Sequence, residues 1–94
     1  MRMLMLVVDD GKKEELEVLL RKSGVSGWTE ISGASGMGTT GPRLGSAVFP
    51  KTSAVLFTVV DDEKARSLAA DLKLYCAHCS ERLRMTSWAV EELL

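Results

Sequence analysis

Ala54-Val55-Leu56-Phe57-Thr58-Val59-Val60-Asp61-Asp62 decides the fold, because it repeats a pattern that opens the chain. Residues 2–8 (Arg2-Met3-Leu4-Met5-Leu6-Val7-Val8) are an apolar run that also ends in two aspartates, Asp9-Asp10. A strand that shows one face to water alternates polar and apolar residues, whereas runs like these need cover on both faces. Each aspartate pair stands where a helix N-cap belongs, and each is followed by a helical stripe. The first stripe is Leu16, Leu19 and Leu20, with Glu14, Glu15 and Glu17 early and Arg21 and Lys22 late, as the helix macrodipole favours. Gly24 is a suitable residue just past its end, so the spacing predicts a helix over about 12–23. The second stripe is Ala65, Leu68, Ala69, Leu72 and Tyr75 or Cys76, ending between Cys76 and Ser80.

Two mixed segments complete the order. Residues 26–32, with Trp28, Thr29 and Ile31, and residues 84–90, Arg84 to Val90, have one wet side and suit sheet edges. The expected architecture is α+β, a ferredoxin-like βαββαβ chain with a four-stranded antiparallel sheet and two helices on one face. In that topology the first and third strands are central, and here these are the fully apolar pair. Their second apolar face has no third helix to cover it. Three or four aliphatic side chains buried there would each contribute about 1.5–3 kcal/mol, so the chain is expected to oligomerise through that face. The alternative cover is the loop described next, folded back over it.

Between the two halves lies Gly33-Ala34-Ser35-Gly36-Met37-Gly38-Thr39-Thr40-Gly41-Pro42-Arg43-Leu44-Gly45-Ser46, which holds five of the chain's eight glycines. It has no hydrophobic period and reads as an exposed loop, where function tends to reside. Val48-Phe49-Pro50 reads as a short extended piece that Pro50 keeps off any central ladder. Gly36-Met37-Gly38-Thr39-Thr40-Gly41 spells G-x-G-x-x-G, but Pro42 and the following strand remove the helix N-terminus that a dinucleotide site needs. What stays open is a glycine-rich turn that binds an anion with its N–H groups and Arg43, or a loop ordered by a partner.

Composition excludes other classes. The 94 residues make one domain, 1–94, with a formal net charge of −1, which gives no footprint for nucleic acid or an anionic membrane. No apolar run reaches the roughly 18–20 residues of a membrane span. The start shows no leader cleavage pattern, and two cysteines without one point to a reducing cytoplasm and a cytoplasmic location. The chain has no Asn, which sets aside acylphosphatase-type catalysis, and no aromatic on the first strand for stacking RNA bases. No catalytic set emerges, so the protein is expected not to be an enzyme. Cys76-Ala77-His78-Cys79 offers at most three of the four ligands a structural zinc needs. The plainer reading packs Cys76 under its helix and leaves Cys79 incidental.

Several of these stretches together resemble the PII superfamily, the trimeric nitrogen-regulatory signal-transduction proteins. They are Gly27-Trp28-Thr29, Gly36-Met37-Gly38, Gly41-Pro42-Arg43-Leu44-Gly45, the Phe49-Pro50 step and the close Trp88-Ala89-Val90-Glu91-Glu92. The resemblance implies a homotrimer that senses a small effector, typically an adenine nucleotide, in clefts between subunits. It also implies a target protein contacted through the 33–46 loop. Thr29, Gly36, Gly38, Gly41 and Arg43 are the positions expected to face ligand or partner, with Arg82 and Arg84 meeting a phosphate. The chain departs from the longer family members in two places. Its only tyrosine, Tyr75, lies outside the loop where they carry a modifiable one, and residues 74–84 have no glycine for a phosphate loop. A metal-responsive trimer resembling the divalent-cation tolerance proteins, with Cys76, His78 and Cys79 as ligands, is the second reading.

Overall fold

A computed structural model describes residues 1–38, 41–76 and 83–94. The strands are β1 (Arg2–Asp9), β2 (Thr29–Ala34), β3 (Gly36–Gly38), β4 (Gly41–Arg43), β5 (Ser53–Val60) and β6 (Arg84–Ala89). The helices are α1 (Lys13–Lys22), entered through a 3₁₀ turn at Asp10–Lys12, and α2 (Asp62–Cys76). The main sheet runs β2-β5-β1-β6, all antiparallel, so the two apolar runs are the inner pair and the two mixed segments the edges. The ferredoxin-like expectation holds.

Alternation along the inner strands produces two faces. Leu4, Leu6 and Val8 of β1 and Ala54, Leu56 and Thr58 of β5 are buried under the helices, with Leu16 and Leu20 of α1 and Leu68 and Leu72 of α2. The intervening residues, Met3, Met5, Val7, Val55, Phe57 and Val59, point the other way and are only half-buried. The register sets Ile31 beside Val55 and Trp88 beside Met3 on that same face; Ile31 is 54% exposed and Trp88 45%. No helix covers it. Phe57 stands at its middle, opposite Met5 on one side and Thr29 on the other.

The helix ends follow local chemistry. Gly24 has φ +86° and closes a Schellman motif, its N–H bonding to Arg21 O (3.0 Å) and the Val25 N–H to Leu20 O (3.0 Å). Val25 then enters the core. The α1 terminus is tied to α2 by Lys64 Nζ, which donates to Ser23 O (2.8 Å), and by the Ser23 hydroxyl, which donates to Asp71 (2.9 Å). Asp61 accepts from the Lys64 N–H at 2.7 Å, the expected N-cap of α2. Buried Thr58 donates to Gly27 O at 2.6 Å, which fixes the approach to β2.

Three expected boundaries move. β2 starts at Thr29 and runs to Ala34, with its register shifting between Ile31 and Ala34. Gly33 has φ +70° there, a backbone turn that glycine adopts without strain. The glycine-rich stretch is not strandless, because β3 and β4 pair as a small hairpin (Gly36 with Arg43, Gly38 with Gly41). Backbone pairing needs no side-chain period, so a stretch without periodicity can still form strands. Val48-Phe49-Pro50 is not extended. Residues 46–49 bend, closed by Ser46 N–H to Phe49 O (3.0 Å) and Phe49 N–H to Ser46 Oγ (3.0 Å).

Two glutamates of α1 shift in opposite directions. The Tyr75 hydroxyl donates to Glu15 at 2.6 Å and, with Lys12, holds that carboxyl below its ordinary value. Its contribution to stability is present above the usual carboxylate range and is lost as pH falls through its lowered pKa. Glu17 lies against Glu30 of β2, whose hydrogen bond, together with burial, pushes the Glu17 carboxyl up. The folded state then holds that proton more tightly than the unfolded chain, so stability falls as pH rises through the carboxylate range. Glu17→Gln is expected to raise the melting temperature at pH 7 by a small margin that closes toward pH 4. Thermal scans across that range check it.

Candidate ligand cleft

Between the hairpin and the ends of β1, β5 and β6 a cleft of ≈ 800 Å³ opens, with Val7 and Val55 of the open sheet face in its wall. Its apolar wall includes Val7, Met37, Pro42, Val48, Phe49 and Val55, and Arg43, Lys51 and Arg84 bring positive charge. The volume falls within the roughly 300–1,000 Å³ of small-molecule sites, which combine apolar walls with a few polar groups. Of the positions expected from the sequence, Gly36, Gly38, Gly41, Arg43 and Arg84 line this cleft. Thr29 does not. It is exposed on the open sheet face beside Phe57.

Arg82 lies outside the described residues, as do His78 and Cys79 of the alternative metal set. Cys76 is the last residue of α2. Among the described residues no cluster of three His, Cys, Asp or Glu side chains could hold a metal ion.

The foot of the hairpin is built from the first aspartate pair. Asp9 accepts from the Gly11 N–H at 2.8 Å, which caps the 3₁₀ turn, and its other oxygen pairs with Arg43 Nη2. Arg43 also donates from Nη2 to Thr52 O (3.0 Å) and from Nε to Ser53 Oγ (3.0 Å). The Arg43 and Asp9 side chains are only 15% and 16% exposed, so water screens this pair weakly. Asp10 accepts from the Gly33 N–H at 3.0 Å and from the Thr52 hydroxyl. Lys13 Nζ donates to Ser32 Oγ at 2.8 Å and pairs with Glu30 at 3.7 Å. The start of α1 therefore grips both the shifted end of β2 and the base of the hairpin.

Capping explains Asp61 in full but Asp9 only in part, and Asp10 bonds outward rather than to its own helix. In sequence both pairs carry the same capping signal. The partners of Asp9 and Asp10 stand 34 and 23 positions away, at Arg43 and Gly33, beyond any local pattern. Lys51 and Phe49 carry no sequence signal as lining residues either, because it is the 46–49 bend that brings them to the cleft.

Arg43→Met keeps a chain of similar length in the cleft wall and removes every one of these donors. Leaving a partly buried carboxylate without its partner is expected to cost about 1–3 kcal/mol. Urea unfolding measures that loss, and faster hydrogen exchange within 33–46 is expected alongside it.

Solved structures give fold neighbours. CPII, a nitrogen regulatory PII-like protein from Thiomonas intermedia K12 bound to ADP, AMP and bicarbonate, superposes with a TM-score of 0.73 at 21% identity. The match covers 95% of this chain and 86% of that one. The same protein bound to ADP, AMP and acetate gives 0.71 at 19%, covering 97% and 88%. A PII-like signaling protein from Thermus thermophilus gives 0.66 at 17%, covering 93% and 85%. At these identities the likeness is one of fold. Among curated proteins none matches the chain in sequence. The family model for nitrogen regulatory protein P-II matches residues 1–81, which takes in both helices and the whole cleft-forming hairpin. The chain belongs to the nitrogen regulatory protein P-II family.

Proposed function

We propose that this chain is a regulatory, non-catalytic subunit that works as a homotrimer. The trimer senses a small anionic effector, an adenine nucleotide, and signals to a target protein through residues 33–46. The observation that carries this reading is the uncovered sheet face. Met3, Met5, Val7, Val55, Phe57, Val59, Ile31 and Trp88 form an apolar surface that the two helices leave open. A patch of that kind marks an interaction surface, and a trimer that shares it among three copies removes it from water.

The effector assignment draws on the cleft beside that face. Its apolar wall suits a base, and Arg43, Lys51 and Arg84 suit phosphates. CPII, bound to ADP and AMP, shares the fold. Met37, Leu44 and Val48 are 76%, 51% and 77% exposed around the hairpin, which suits contact with a target. No helix among the described residues is long and apolar enough to cross a membrane.

Native mass spectrometry tests subunit number and co-purified ligand together, and calorimetric titration with ADP, AMP and ATP tests the effector. A threefold mass and saturable heat are expected. A monomer at micromolar concentration removes the assembly, and absence of heat with all three nucleotides removes the effector.

A further inference from the structure

The cleft contains an internal opponent of the ligand proposed for it. Among the described residues lining it, Arg43, Lys51 and Arg84 are cationic and Asp9 alone is acidic. Asp9 does not stand there idle, since its carboxylate takes Arg43 Nη2, the same donor that reaches Thr52 O. A guanidinium recognises carboxylate and phosphate by the same fork of N–H donors, so an oxyanion entering the cleft must share or displace that partner.

Resting on the reading of the cleft as an anionic effector site, we propose that Asp9 is a built-in competitor that sets effector affinity and couples binding to the hairpin. An incoming oxyanion exchanges with the Asp9 carboxylate on Arg43. The exchange unties one of the links between the foot of β4 and the end of β1. The remaining ties, Gly33 N–H to Asp10 and the Arg43 bonds to Ser53 and Thr52, keep the hairpin attached while that one is free to change. Asp9 keeps a partner of its own throughout, the Gly11 N–H.

Asp9→Asn tests this, because the amide oxygen still caps the 3₁₀ turn while the charge that holds Arg43 is gone. Calorimetry with ADP on wild type and variant reads the competition. Hydrogen exchange of the unliganded proteins over 33–46 reads the tie. Affinity for ADP is expected to rise about tenfold, the equivalent of one modest charge-assisted hydrogen bond, and exchange over 33–46 to quicken severalfold. Asp9→Glu, with the charge kept, is expected to bind ADP less tightly than Asp9→Asn.

Equal or weaker ADP binding by Asp9→Asn overturns the proposal while leaving the effector site standing. Tighter binding with unchanged exchange also overturns it, since that is repulsion through space without a latch. Should neither protein take up ADP, the effector reading itself fails and this inference falls with it.

Discussion

Phe57→Glu is expected to break the proposed trimer into monomers at concentrations where the wild type, on that proposal, assembles. Phe57 is at the centre of the uncovered face, with Met5 across one strand and Thr29 across the other. Three copies packed on that face would each bury a carboxylate with no cation opposite it. Leaving a buried charge uncompensated costs roughly 3–5 kcal/mol, so association is expected to weaken by at least about a hundredfold. The isolated subunit keeps its own core, because the substituted side chain points away from the helices. Sedimentation equilibrium and native mass spectrometry check the size, and far-ultraviolet circular dichroism checks the fold. Val18→Glu, on the exposed outer side of α1 (Val18 is 52% exposed), is the matched control and is expected to leave the proposed trimer intact. A trimeric Phe57→Glu protein would place the interface elsewhere.

Leu56→Ala changes the neighbouring residue and is expected to act quite differently. Leu56 is fully buried on the helix side of the same strand, between Leu6 of β1 and the Glu30 position of β2. Removing its three outer carbons leaves a cavity in the leucine-rich core. The expected cost is about 2–5 kcal/mol, a large share of the roughly 5–15 kcal/mol that holds a domain folded. Urea unfolding should show a lower midpoint with an unchanged slope. The two variants separate by concentration dependence. Leu56→Ala lowers stability by a similar amount at every protein concentration, whereas the deficit of Phe57→Glu grows as the wild type gains from assembly.

The division of labour between consecutive residues explains what the sequence makes legible. Apolar runs on both inner strands, aspartate caps and helical stripes are local or short-period signals. They determined the order of the two helices and the four strands of the main sheet, and which of those strands are inner and which outer, from the one-dimensional chain. Gly24 was legible for the same reason, since a helix C-terminus needs one residue that tolerates positive φ. Dense glycine beside Arg43 was legible as exposed backbone, and the structure brings Gly36, Gly38, Gly41 and Arg43 to the wall of one cleft.

What the tertiary structure alone decided is which groups meet. The β3–β4 hairpin exists because the Gly33 turn and the aspartates ahead of α1 anchor its two ends, and periodicity carries no trace of such pairing. Asp9 and Asp61 stand in the same sequence context, yet among the described residues only Asp9 pairs with an arginine, brought in by a chain reversal more than thirty residues on. Thr29 and Arg43 look equivalent in the sequence, and the sheet register sends one to the open face while the hairpin carries the other to the cleft. Hydrophobic patterning records where water is excluded. It does not record the partners of a charge, which are set by three-dimensional packing.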